Sequence, residues 1–176
     1  MTPTHPSPAS TAWLIRHGES VANAGGPVTS FSEIALTPRG HQQAEIFARR
    51  FDRISPHPPT RIVQSPYLRA RQTAHPLICR FPDAPVETWP IHEFTYLDPD
   101  ATQGLNETQR APFYARYWDR DDPQFANPGA ESFTHFLDRV REMLARLAAL
   151  PRANVYPSSP TGTSCRRCAS TCSFRI

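Results

Sequence analysis

The chain has 176 residues, 39% of them hydrophobic, which is enough for one domain with a sizeable core. No apolar run is long enough to span a bilayer. Its net charge is +3, and every one of its 19 basic residues is an arginine. Three of them, Arg166, Arg167 and Arg175, fall in residues 157–176, where there is no acid, so the remaining body is balanced and carries no nucleic-acid footprint.

The N-terminus "MTPTHPSPAS" has neither the basic start nor the apolar core of a signal peptide. Residues 1–11 read as a short disordered lead, and a cytoplasmic protein is expected. "TAWLIRHG" then predicts a buried strand ending at a glycine turn. "ALTPRGHQQAEIFARRF" predicts a helix capped by Thr37, with Pro38 at its first position and Ala44, Phe47, Ala48 and Phe51 on one face. "TRIVQSP" predicts a second short strand. Ser65-Pro66 repeats the cap-and-proline signal before the helix "YLRARQTAHPLICRF", which Pro76 is expected to kink or shorten.

"APVETWPI" is a third strand candidate, and "NETQRAPFYARYW" is expected to be helical in part. "ESFTHFLDRVREMLARLAAL" carries the clearest helical stripe: Phe133, Phe136, Leu137, Val140, Leu144 and Leu147. "RANVY" predicts the start of another strand. Alternating strands and helices imply an α/β domain with a mostly parallel sheet.

In such sheets, ligands sit beyond the carboxyl ends of the strands. Two predicted strands end in polar signatures, Arg16-His17-Gly18-Glu19 and Ser65-Pro66-Tyr67-Leu68-Arg69. Both place an arginine in one crevice, with a histidine beside them. Two guanidinium groups suit a phosphate, and an imidazole nitrogen is a competent nucleophile towards phosphorus.

The ordered set "LIRHGES" with Asn23, "LTPRGHQQA", "SPYLRARQTA", "IHEFTYL" and "GAESFTHFLDRV" resembles the histidine phosphatase superfamily, the phosphoglycerate mutase-like group of branch 1. The resemblance covers roughly residues 12–156. It implies a three-layer α/β sandwich with a mostly parallel sheet, and hydrolysis of a small phosphate ester through a phosphohistidine. His17 is implied as the nucleophile, Arg16, Asn23 and Arg69 as phosphate-binding groups, and Glu93 as general acid and then base. Glu19 and Glu131 match family positions, where a structural role is at least as fitting. The resemblance implies no metal and no cofactor. The seven histidines are not spaced as a metal site; His41, His57, His75, His92 and His135 read as surface or loop residues.

Phosphoglycerate mutases usually carry W-N-x-x-N and F-x-G-W patterns after the first motif. "VANAGGPVTSFSEIALT" has neither, which favours hydrolysis over mutase-type phosphoryl transfer. The segment from Ile91 to Pro128 is expected to form a lid, with Phe94, Tyr96, Phe113, Tyr114 and Trp118 available to a substrate or to core packing.

After Val155-Tyr156 the text changes: "PSSPTGTSCRRCASTCSFRI" has no helical or strand period. The family places a second catalytic histidine here, in a Ser/Thr-His-Gly turn after its last core strand, and the tail contains no histidine. A shifted frame of codons compatible with residues 157–169 encodes "LFSHGHFMQALR". The expectation is therefore a domain over residues 12–156, incomplete in frame, and a frameshifted, non-native tail over residues 157–176. Such a chain is expected to be poorly stable and catalytically impaired, which keeps a dead phosphate-binding module as an alternative. The cluster Cys165, Cys168 and Cys172 lacks a fourth ligand nearby and fits out-of-frame text better than a metal site.

Overall fold

The computed structural model describes residues 11–150. The lead before residue 11, the strand predicted at "RANVY" and the tail with its cysteines lie outside the described residues. Contacts divide the chain into a unit of residues 14–150, which carries everything below, and a second unit of which only residues 11–13 are described.

Helix α1 spans Pro38–Arg50 and opens as the sequence predicts. Thr37 has extended backbone, its side chain accepts from the Gly40 amide, and Pro38 occupies the first turn, where its missing N–H costs nothing. Its inner face buries Gly40, Ala44 and Ala48, and Arg49 and Arg50 sit favourably in its last turn.

Strand β1, Ile62–Gln64, pairs in parallel with β2, Val86–Thr88, in the register Ile62 with Val86 and Gln64 with Thr88. Helix α2, Leu68–Arg80, makes the crossover, so the three form one βαβ unit. Ala48, Phe51, Ile62 and Leu77 make the buried core between α1, α2 and β1, with Phe47, Ile78, Phe81 and Ala84 against it. The Phe51 ring meets Phe47 and Phe81 edge-on at 6.0 and 5.5 Å.

Two local expectations are corrected here. Ser65 does not cap α2: the helix starts after Tyr67, and the Ser65 hydroxyl instead accepts from the Tyr67 amide at 3.3 Å. Pro76 does not end α2 either; the helix runs on to Arg80 around it. The Leu77 side chain in the core, Thr73 Oγ1 accepting from the Gly18 amide and Gln72 Oε1 accepting from the Leu36 amide at 2.8 Å hold the turns on both sides of the proline.

The predicted first strand is also corrected. Residues 14–19 form no ladder, and Leu14 is 83% exposed. A buried strand needs neighbours on both sides, and the only ladder among the described residues joins β1 to β2. The segment instead makes one antiparallel bridge further on, Ser20 with Leu36, extended by Val21 N–H to Ala35 O at 2.9 Å.

Helix α3, Glu107–Trp118, is fully formed around Pro112 and opens with a capping box between Asn106 and Gln109. Helix α4, Phe133–Ala149, starts at the Ser132 cap. Its apolar stripe is present in sequence, but among the described residues none of it is fully buried. Phe133 and Phe136 instead join an aromatic cluster with Phe94, Tyr96, Tyr117 and Trp118. No helix among the described residues is long and apolar enough to cross a membrane.

Candidate active site

Three segments deliver side chains to one cavity of about 270 Å³. The segment before Gly18 brings Arg16 and His17, the turn from β1 into α2 brings Tyr67 and Arg69, and the loop after β2 brings His92 and Glu93.

The His17 segment is fixed by close backbone approach. A Cβ on Gly18 would lie 2.5 Å from the Gly40 carbonyl oxygen, and one on Gly40 would lie 2.1 Å from that of Glu19. Only glycine fits at either place. The Gly18 amide donates to Thr73 Oγ1 at 3.1 Å, and that hydroxyl donates to the Arg69 carbonyl at 2.7 Å. Helix α2 thus holds the His17 segment and carries Arg69 on the same turn. From α1, the Thr37 amide donates to the Glu19 carbonyl at 2.9 Å, and Gln43 Oε1 accepts from the Glu19 amide at 2.8 Å. The Glu19 carboxylate accepts from Thr37 Oγ1 at 2.8 Å and pairs with Arg39 at 3.4 Å. Glu19 therefore clamps the segment to α1.

His17 Nδ1 lies 2.7 Å from the Gly18 carbonyl oxygen. A carbonyl only accepts, so Nδ1 carries the proton and Nε2 keeps its lone pair. That is the tautomer a nitrogen nucleophile needs. Arg16 is exposed at the cavity's edge, whereas Arg69 is 5% exposed. Arg69 Nη1 donates to the Phe31 carbonyl at 2.8 Å, and Nη2 donates to Glu93 at 3.1 Å. Its guanidinium also lies 4.9 Å from the Tyr67 ring centre. The Glu93 side chain is 74% exposed, so this pair contributes orientation more than stability.

Asn23 is the one predicted site residue outside the cavity lining. It is exposed, and its Oδ1 accepts from the Ser20 amide at 3.1 Å and the Ser20 hydroxyl at 2.9 Å. The carboxamide nitrogen is left for other work.

The loop carrying Glu93 is held by a buried ion pair. Glu131 and Arg139 side chains are each 10% exposed, and the Nε–Nη2 edge of the guanidinium meets the carboxylate at 2.9 and 2.5 Å. Arg139 Nη1 donates to the Pro90 carbonyl at 2.7 Å and the His92 carbonyl at 3.2 Å. Glu131 accepts from the Thr95 amide at 3.1 Å, and its own amide donates to the Thr95 carbonyl at 3.0 Å. Burial alone would push the Glu131 carboxyl up; hydrogen bonds from Arg139 and the Thr95 amide, with the Arg139 charge, outweigh it and hold the group below its ordinary value. Glu131 is structural in this sense, as its sequence position allowed.

The sequence reads His92 as a surface or loop residue; it lies in the loop after β2 and there lines the cavity, partly buried, with its ring stacked on Tyr67 at 4.9 Å. Thr73 and Tyr67 lie inside the quoted "SPYLRARQTA" segment, but residue type alone does not separate them from their neighbours. The lid aromatics Phe94, Tyr96 and Trp118 pack on one another and do not line the cavity. Among the described residues, no group of three or more His, Cys, Asp and Glu side chains comes together to hold a metal ion.

Residues 12–156 match the histidine phosphatase superfamily (branch 1). The chain belongs to this superfamily. Among its curated relatives, it is 31% identical to an adenosylcobalamin/alpha-ribazole phosphatase from Salmonella typhi, over 78% of this chain and 66% of that protein. It is also 34% identical to a 2,3-bisphosphoglycerate-dependent phosphoglycerate mutase 2 from Lactobacillus johnsonii, over 53% of this chain and 41% of the mutase. Among solved structures it resembles an alpha-ribazole phosphatase from Shigella flexneri, with TM-score 0.59 and 28% identity over 77% of this chain and 66% of that one. A mycobacterial glucosyl-3-phosphoglycerate phosphatase complexed with VO3 matches with TM-score 0.57 and 29% identity, over 76% of this chain and 64% of that one. The histidine phosphatase chain described here therefore spans about two fifths to two thirds of the length of these relatives. Its α/β class and its place in the phosphoglycerate mutase-like fold follow from the match.

Proposed function

We propose that this protein is a phosphatase that hydrolyses a small phosphate ester through a phosphohistidine on His17. The observation that carries it is the convergence of Arg16, His17, Arg69 and Glu93 on one cavity, with His17 Nε2 left as the basic nitrogen. Arg16 and Arg69 bind the phosphoryl oxygens, and Arg69 exchanges its Glu93 partner for one of them. The Asn23 carboxamide nitrogen adds a neutral donor to the same oxygens. His17 Nε2 attacks phosphorus and the P–O ester bond breaks. Glu93 delivers a proton to the leaving oxygen, then takes one from the water that attacks the phosphohistidine. Two relatives, a ribazole phosphatase and a glucosyl-3-phosphoglycerate phosphatase, support hydrolysis of a small phosphorylated substrate. A cytoplasmic location belongs to the same proposal.

The test is an acid-labile, base-stable phosphoryl label on the protein after exposure to a radiolabelled phosphate ester. The label is expected on His17 and absent in His17→Ala. Labelling that survives His17→Ala overturns the assignment. The alignment with a phosphoglycerate mutase keeps phosphoryl transfer between positions as the second activity. Phosphate release without a bisphosphoglycerate primer separates the two.

Completion of the site is part of the proposal. The second imidazole would come from the Ser-His-Gly turn of the shifted frame, so the domain of residues 12–156 is incomplete as written and residues 157–176 are foreign text. The printed chain is then expected to bind phosphate with little or no turnover, as a dead binding module would. Sequencing the gene across the codons for residues 155–163 decides it: an alternative frame without Ser-His-Gly removes the idea.

A further inference from the structure

His92 is the second histidine lining the cavity among the described residues, and no step above uses it. Its ring is held firmly. It stacks on Tyr67 at 25° between planes, and Tyr67 is itself pinned by a 2.8 Å hydrogen bond between its hydroxyl and Thr95 Oγ1. Arg139 grips the His92 carbonyl from behind. A side chain fixed this way has little rotamer freedom left to lose on binding a ligand.

The two ring nitrogens are unequal. Nδ1 is a buried atom without a hydrogen-bond partner, whereas Nε2 is not such an atom. A neutral imidazole has one N–H, and orphaned buried N–H groups are rarer than under-satisfied acceptors. The proton therefore sits on Nε2, and Nδ1 keeps a lone pair. Burial, then the Arg139 charge, hold His92 below the ordinary histidine value, with Arg69 and His135 acting the same way and Glu131 opposing. The ring is thus a neutral donor at pH 7. It stands next to Glu93, on the side of the cavity where the proposed chemistry places the ester oxygen.

We propose that His92 contacts the substrate: its Nε2–H donates a hydrogen bond to an oxygen of the organic group, selecting phosphate esters with a hydroxyl or carbonyl oxygen near the ester oxygen. The inference rests on the phosphate cavity proposed above. Neutral imidazole suits an uncharged oxygen, while the two arginines take the phosphoryl charge.

The test is calorimetric binding of inorganic phosphate, phenyl phosphate and glycerol 3-phosphate to the full chain and to His92→Phe and His92→Gln. Phenylalanine keeps a ring against Tyr67 without the donor, and glutamine keeps a donor. His92→Phe is expected to weaken glycerol 3-phosphate about three- to tenfold, the worth of one neutral hydrogen bond. Inorganic phosphate and phenyl phosphate should change by less than about twofold, and His92→Gln should restore most of the loss. Equal weakening of all three probes, or no change in any, overturns the proposal. So does a nitrogen NMR spectrum that places the proton on Nδ1. Failure of the unsubstituted chain to bind inorganic phosphate overturns the phosphate reading itself, and this inference with it.

Discussion

The two sides of the cavity are held by different physics. The His17 segment is wedged between α1 and α2 by glycine contacts and backbone hydrogen bonds, beside a core of Ala48, Phe51, Ile62 and Leu77. The Glu93 loop depends on one buried ion pair, Glu131–Arg139, and on an aromatic cluster against α4, a helix with no fully buried residue among those described. The first side rests mainly on close backbone packing, with the Glu19 carboxylate as a further clamp. The second is electrostatic, so it should fail when one charge is removed. In the proposed reaction His17 needs a fixed nitrogen, whereas Glu93 must release Arg69 and handle a proton, which tolerates a softer mounting.

The strongest way to break this contrast is Glu131→Ala. It leaves the Arg139 charge buried and unpaired, which costs on the order of 3–5 kcal/mol of stability. Denaturant unfolding should show that loss. Glu131→Gln should show a smaller one with a pH signature. The Glu131 carboxyl titrates below its ordinary value in the folded chain, so its contribution is present above about 4.5 and is lost as pH falls through the folded value. The stability gap between the unsubstituted chain and Glu131→Gln should therefore close below pH 4.5. A gap that stays constant into acid would show that Glu131 holds the loop by shape and not by charge.

On the other side, Gly40→Ala places a methyl group against the Glu19 carbonyl, where the backbone and not a flexible side chain must yield. The expected cost is about 1–3 kcal/mol, and phosphate binding should weaken with it, because the displaced backbone is two residues from His17. Unlike the Glu131 effect, this loss should not change with pH between 4 and 8.

Most of the first side was legible in the sequence. The Thr37-Pro38 signal sets where α1 begins, and the order of Arg16-His17-Gly18 and the Tyr67–Arg69 segment predicted one crevice, which the cavity reproduces. The second side was legible only as motifs. That Glu131 reaches the Glu93 loop depends on Arg139, eight residues along α4, bridging back to Pro90 and His92. No local period announces such a contact. His92 reads in sequence as a surface or loop residue, and it does lie in a loop, but its place in the cavity emerges only once Tyr67 is seen stacked on it. The strand predicted at "TAWLIRHG" was misjudged for a different reason. An apolar run specifies a preference for burial, but the ladder that satisfies it must come from elsewhere, and among the described residues β1 and β2 pair only with each other.

The smallest expected effect tests how finely the steric side is tuned. Thr37 serves both elements at once: its hydroxyl accepts from the Gly40 amide at 3.1 Å as a helix cap and donates to the Glu19 carboxylate at 2.8 Å. Thr37→Ala removes both, and Thr37→Ser keeps both. The cap alone is worth about 1 kcal/mol, and the part-buried hydroxyl–carboxylate bond adds to it. If α1 merely needs a start, Thr37→Ala should lose that amount with phosphate binding unchanged. If Glu19 transmits the cap to the His17 segment, binding should weaken two- to threefold in Thr37→Ala and recover in Thr37→Ser. The second outcome is expected, because the Thr37 amide also holds the Glu19 carbonyl, and fraying the first turn of α1 loosens both contacts together.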